Sequence, residues 1–267
     1  MVHNDLTICS VIGHNDGSAA IPALTESLDQ LPGSRGLLIS QSRPDTLPRG
    51  IAWKQTEPLT YKQYSIFVMH CLQYFVETDY CLIVQEDGWV LDGGNLSANF
   101  YDYDYIGAPC HAAMVGDTLK QQYTWIQNPH RIVVQNGGFS LRSRRFLEAP
   151  SRHGFAYRPD NRRPLFNEDI QLTGIFRPRL ESLGYTFAPD QLAKHFAIEY
   201  LGPSLHDDLD FTRLVGHHAP TRRLSSYRTI TCSMTPAQVS QSYGEQRVLH
   251  HLEHLGYSIR YRAPGRN

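Results

Sequence analysis

Apolar and polar positions alternate along the first third of the chain in two rhythms. Residues 6–12 form a compact run of β-formers, followed by the polar, glycine-bracketed stretch Gly13-His14-Asn15-Asp16-Gly17 and then a helix predicted over 19–31. Residues 36–40 predict a second strand, and 41–50, carrying prolines and arginines, a loop. Tyr61, Tyr64, Val68, Cys71, Leu72 and Phe75 recur at helical spacing, so 60–76 predicts an amphipathic helix with Thr60 as its cap. That helix leads into the run Tyr80-Cys81-Leu82-Ile83-Val84, which ends abruptly in Gln85-Glu86-Asp87-Gly88. Strands alternating with helices predict an α/β fold, Rossmann-like, with a mostly parallel central sheet covered on both faces.

The second half repeats the theme. Tyr101-Asp102-Tyr103-Asp104 approaches a short strand and turn at 105–109, and Arg131 to Arg142 runs a further strand into the pair Gly137-Gly138. Asn167-Glu168-Asp169 opens a helix predicted to reach about 183, with Gly184 as its stop and a late strand at 185–188. Apolar residues at 196–200 and 215–218 follow, the latter ending in His217-His218. The pattern predicts one domain over 1–219 and a C-terminal helical extension over 220–267, with a helix near 236–255 and a basic, frayed end.

Composition narrows the class. With 41% hydrophobic and 19% charged residues the chain is globular, and 25 basic against 26 acidic residues carry no general nucleic-acid footprint. Five cysteines, odd in number and without C-x-x-C spacing, predict reduced thiols. Neither a basic leader nor an apolar run of membrane length is found, so the expectation is a cytoplasmic protein without a transmembrane segment. G-x-G-x-x-G and G-x-x-x-x-G-K-[ST] are both absent, which removes the dinucleotide fingerprint and the P-loop.

Candidate chemistry gathers where strands end. Ligands of open α/β sheets bind outside the carboxyl ends of the strands, and acidic side chains there suit a divalent cation and the phosphates it carries. Asp87 and its neighbours Gln85 and Glu86 stand at such an end; the bland alternative is a polar turn. His14 and Asn15 are weaker candidates for base or ribose contacts, set against a purely structural loop. Gly137 and Gly138 would let backbone lie against a sugar or phosphate, or form a β-bulge. Glu168 and Asp169 sit where capping alone would explain them. One imidazole of His217 and His218 would be presented to a metal. Trp89, Tyr105, Trp125 and Phe139 are stacking candidates, or core.

Taken in order, Val84-Gln85-Glu86-Asp87-Gly88-Trp89-Val90, Asp104-Tyr105-Ile106-Gly107-Ala108-Pro109, Asn136-Gly137-Gly138-Phe139-Ser140-Leu141-Arg142 and Asn167-Glu168-Asp169 resemble a GT-A-type glycosyltransferase, and within that class a bacterial family long described as a domain of unknown function. The resemblance covers roughly 5–219. It implies a nucleotide-diphosphate sugar as donor and a divalent metal, Mn2+ or Mg2+, held by Asp87 with His217 or His218. Gln85 takes the place of the first aspartate of the Asp-x-Asp motif. It further implies Asp169, with Glu168 as its alternative, as the base that deprotonates a hydroxyl acceptor, a glycan or lipid-linked saccharide of a cell-surface pathway, with inversion. Two alternatives stand beside it. One is transfer to modified nucleic-acid bases, which requires Arg142, Arg144, Arg145, Arg162, Arg163, Arg222 and Arg223 on one face; the other is a noncatalytic nucleotide- or sugar-binding module.

Overall fold

The structure is a computed structural model that describes residues 3–115, 118–121, 131–158 and 166–262. Its strands are β1 Leu6–Ile12, β2 Arg35–Ser40, β3 Ile51–Gln55, β4 Tyr80–Ile83, β5 Gly88–Val90, β6 Tyr105–Val115, β7 Thr118–Gln121, β8 Arg131–Ser143, β9 Ala197–Ile198, β10 Gly216–His218, β11 Arg222–Ser226, β12 Thr229–Cys232 and β13 Ser258–Tyr261. Its helices are α1 Ile21–Gln30, α2 Tyr61–His70, α3 Arg144–Arg152, α4 Glu168–Ile170, α5 Arg177–Ser182, α6 Asp190–Phe196, α7 Pro236–Gln241 and α8 Glu245–His254.

The central sheet has seven strands in the order β3-β2-β1-β4-β8-β6-β7. The first four pair in parallel; β8 is antiparallel to both of its neighbours, so β6 again runs with β4. Period-two alternation sends each strand's residues to opposite cores. Ile8, Leu38 and Leu82 pack with Leu24 of α1 and Phe196 of α6, whereas Cys9, Ile39 and Cys81 pack with Val68 of α2 and Leu147 of α3. The α/β sheet covered on both faces is therefore present, and none of the five cysteines is joined in a disulfide.

Several local expectations change. The half-exposed edge strand β3 lacks the apolar alternation that would announce it. β6 is far longer than a short strand, bulging between Gly107 and Pro109, where proline has no N–H to give the ladder. The helix expected from 167 is broken into α4, a π-turn at Gln171–Ile175 and α5, which restarts at Arg177-Pro178. Residues 185–188 form no strand, only an isolated bridge between Tyr105 and Phe187. The Thr60 cap is a full capping box with Gln63, but α2 ends at His70 and gives way to a 3-10 turn at Leu72–Tyr74.

The last fifty residues are more than a helix with a loose end. α7 and α8 are split at Gly244, whose φ of 72 no longer fits a helix. Ser258–Tyr261 pair as the third strand of a sheet β11-β12-β13, so the frayed end expected over 260–267 does not begin at 260; residues 263–267 lie outside the described residues. Leu224, Ile230, Val248 and Leu252 share a core with Trp89 and Leu91, so this segment is cemented onto the chain that leaves β4. Trp89 donates its Nε1–H to Tyr257 (2.9 Å), and the Tyr257 hydroxyl donates to Glu26 of α1 (3.0 Å). Among the described residues no helix is long and apolar enough to cross a membrane.

Candidate functional site

β4 ends one residue before a tight hairpin in which Gln85 and Gly88 exchange backbone hydrogen bonds (3.1 and 3.0 Å), leaving Glu86 and Asp87 at its tip. Both tip carbonyls are tied down: that of Asp87 accepts from the Ala219 N–H (2.8 Å), and that of Glu86 from the Leu224 N–H (3.0 Å). Gly88 is needed at the return, because a β-carbon there would come within 2.9 Å of the His217 carbonyl oxygen.

β10 pairs antiparallel with β5, bringing His218 opposite Gly88 and His217 opposite Trp89. Neighbouring strand residues face opposite ways, and this register separates the two histidines. The His217 ring meets the Trp89 ring edge-on at 4.1 Å between centroids, fully buried, and burial drives its pKa well below the ordinary value. It is a core residue and does not line the site. His218 instead brings Nε2 to 3.1 Å from Gln85 Oε1 and 3.3 Å from Asp87 Oδ1. Gln85 is itself held by donating to the Tyr64 hydroxyl at 2.7 Å. Burial disfavours an imidazolium, but the hydrogen bond and charge of Asp87, with Glu199 and Asp169 nearby, raise the His218 pKa. Burial likewise works against ionised Asp87, and His218 and then Arg223 overcome it, so that its pKa is lowered.

The opposite wall comes from β8 and α4. Gly137 donates its N–H to Asp169 Oδ2 (2.8 Å), and the Ile170 N–H serves Oδ1 (2.7 Å). Burial, then the charge of Glu168, pushes the Asp169 carboxyl up to about 7. Glu168 is held by the buried Arg142 at 2.7 Å, and that guanidinium also lies over the Tyr105 ring. Neither Gly137 nor Gly138 has positive φ; what they supply is closeness. A β-carbon on Gly137 would fall 2.5 Å from Glu168 Oε1, and one on Gly138 2.4 Å from His218 Nε2.

These groups enclose two adjoining cavities. One, of about 270 Å³, is walled by Asp87, Gly137, Gly138, Glu168, Asp169, Glu199 and His218. The other, of about 550 Å³, is walled largely by Val11, Ile12, Leu59 and Tyr64, with His14, Glu86 and Arg223 at its polar edge. Tyr61, Tyr64, Gln85 and Asp87 belong to both. Asn15 belongs to neither; its side chain accepts from the Gly17 N–H (2.8 Å) and shapes the loop after β1.

Glu199 is a site residue that the sequence did not announce. It follows β9, which runs parallel to β10, and its carboxyl approaches the far nitrogen of the His218 ring at 4.0 Å. Burial raises its pKa against the pull of His218 and of a hydrogen bond with Asn136. Among the described residues no three His, Cys, Asp or Glu side chains gather as a metal-holding group. The donors that converge are one carboxylate oxygen, one imidazole nitrogen and the amide oxygen of Gln85.

Among the described residues each of the arginines that a nucleic-acid face requires is paired with a different carboxylate, Arg144 with Glu148 and Arg223 with Glu86. Arg142 and Arg222 are buried against Glu168 and Glu245, Arg145 pairs with Asp104, and Arg162 and Arg163, like Trp125, lie outside the described residues. Trp89, Tyr105 and Phe139 are fully buried and pack as core.

No curated protein matches the chain. Among solved structures, the galactosyltransferase LgtC in complex with donor and acceptor sugar analogs is similar at 13% identity and a TM-score of 0.47, over 94% of this chain and 97% of that one. An active-site mutant of LgtC is similar at 13% identity and a TM-score of 0.43, over 93% and 95% of the two chains. The profile of the family described as "Protein of unknown function (DUF5672)" matches residues 58–216, more than half of the chain. That segment carries α2, the Glu86-Asp87 hairpin, both glycines and the Glu168-Asp169 pair, and the chain belongs to the DUF5672 family.

Proposed function

We propose that the protein is a GT-A-type glycosyltransferase that moves a sugar from a nucleotide-diphosphate donor to a hydroxyl acceptor. The observation that carries this reading is the meeting of two cavities at Asp87, one large and mostly apolar, the other small and rimmed with carboxylates. A nucleoside suits the first and a sugar with its incoming acceptor the second; the diphosphate then crosses the hairpin tip between them.

Asp169 acts as the general base. Its raised pKa lets it take a proton near neutrality, and the Gly137 and Ile170 N–H groups hold its oxygens in place. The acceptor oxygen forms its bond to the anomeric carbon, its proton passes to Asp169, and the bond from that carbon to the diphosphate breaks, releasing the nucleoside diphosphate. Attack from the Asp169 side, opposite the leaving group, gives inversion. Glu168, neutralised by Arg142, orients the acceptor rather than accepting the proton.

Asp87, His218 and the Gln85 carbonyl oxygen are a mixed oxygen and nitrogen donor set of the kind that suits Mn2+ or Mg2+. A cation held there would supply charge stabilisation to the departing diphosphate. Glu199 on the far side of the imidazole would fix its orientation, the usual task of a carboxylate behind a ligating histidine. The acceptor class that fits is a glycan or lipid-linked saccharide.

The test is a thermal-shift and calorimetric series of nucleoside diphosphates and nucleotide sugars with manganese or with chelator, followed by donor hydrolysis. Stabilisation by a nucleoside diphosphate, strengthened by manganese and losing that increment in Asp87→Asn, is expected. A chain that binds no nucleotide in either condition overturns the reading, and one that binds donor but never hydrolyses or transfers it is a binding module.

A further inference from the structure

Among the described residues the walls of both cavities contain one permanently cationic side chain, Arg223; against it stand Glu86, Asp87, Glu168, Asp169 and Glu199. Arg142 offsets Glu168 from behind without lining either space. A diphosphate brought to this rim meets several carboxylates, and a guanidinium at its edge would add to the charge compensation that a bound cation would supply.

Arg223 is placed for it. It sits on β11, opposite Thr231 of β12, in the segment cemented onto Trp89, and the next residue's N–H is bonded to the Glu86 carbonyl. Its side chain is 59% exposed and reaches over the larger cavity to Glu86, Nη1 to Oε1 2.8 Å. The guanidinium end of this pair is open to solvent, so it can exchange its carboxylate for phosphate oxygens at little cost.

We propose that Arg223 is a diphosphate-binding residue of the donor site: its guanidinium leaves Glu86 and takes two phosphate oxygens with parallel N–H groups. Glu86 keeps the arm extended over the cavity until the ligand arrives. The inference rests on the nucleotide-sugar reading and adds to the donor site a cationic contact supplied from β11, outside the family-matched stretch 58–216.

The experiment is calorimetry on the full chain with UDP, GDP, ADP and CDP and with their parent nucleosides, comparing wild type, Arg223→Met and Arg223→Lys at two salt concentrations. Arg223→Met should bind the preferred diphosphate about tenfold or more weakly with its nucleoside affinity kept, as expected for loss of a charge-assisted hydrogen bond. Arg223→Lys should fall between, and the salt dependence of diphosphate binding should flatten in Arg223→Met. Melting temperatures of the variants verify that the exposed substitution leaves the fold in place. A loss under threefold, or an equal loss for the nucleoside, overturns the role of Arg223 while leaving the nucleotide site standing. Failure of the wild type to bind any of the diphosphates overturns the donor reading itself.

Discussion

Gly138 and His218 pack so closely that a β-carbon on the glycine would lie 2.4 Å from Nε2, 2.6 Å from Cδ2 and 2.8 Å from Cε1 of the imidazole. The ring has nowhere to retreat, held by Asp87 and Gln85 on one edge with Glu199 behind. Gly138→Ala should therefore displace His218, at a cost in stability of about 1–3 kcal/mol, as for overpacking elsewhere, together with loss of the manganese-dependent part of nucleotide binding. Urea denaturation and calorimetry measure the two effects. Unchanged values in both would mean that the ring moves freely and that the close approach has no role.

The proposed role of Asp169 as base predicts a pH dependence whose sign follows from its raised pKa. Its carboxyl, raised to about 7, must be ionised to accept a proton, so transfer should rise with pH through about 7. Asp169→Asn should lower transfer by roughly 10²- to 10⁴-fold, with donor affinity retained. Stability moves the other way. Between the unfolded carboxylate's pKa and about 7 the folded state holds the extra proton, so the contribution of Asp169 to stability falls as pH rises through that window. Urea melts of wild type and Asp169→Asn at both ends of the window should diverge accordingly, and parallel pH profiles would contradict the assignment.

Arg142 and Glu168 form a buried ion pair, the two side chains 1% and 7% exposed. Removing one partner strands the other, so Arg142→Met should destabilise by about 3–5 kcal/mol. The double variant Arg142→Met/Glu168→Gln should recover much of that loss. A denaturant-based double-mutant cycle measures the coupling, and additive losses would show that the pair is not coupled.

What the sequence made legible is what local chemistry dictates. The run into Asp87 reads as a strand with a polar terminus, and Thr60 ahead of a helically spaced apolar face reads as a cap, to which the structure adds Gln63. The two histidines show where local reading stops. A strand sends neighbours to opposite faces, but only the long-range register of β10 on β5, Trp89 against His217, decides which ring enters the core. Arg142 stood among the arginines a nucleic-acid face would need because its partner Glu168 is brought to it by α4 packing on β8, a contact with no sequence signature. Glu199 was silent for the same reason: an isolated acid after a two-residue strand becomes part of a site only when β9 pairs with β10. The C-terminal sheet, too, depends on β13 returning to lie parallel to β12 across a long helical connection.

The hairpin tip carries a consequence for how chain length can vary in this protein. Glu86 and Asp87 are fixed at both carbonyls by amides of Ala219 and Leu224, more than a hundred residues away. One residue inserted between Ile83 and Gly88 would rotate the acids off those anchors; one inserted between His218 and Leu224 would slide the anchors off the acids. The two stretches work like matched threads on a bolt and nut, each fixing the pitch of the other. Across homologous chains, length changes should accumulate elsewhere, in the connections at 41–50 and 202–212, while these two short segments keep a constant count.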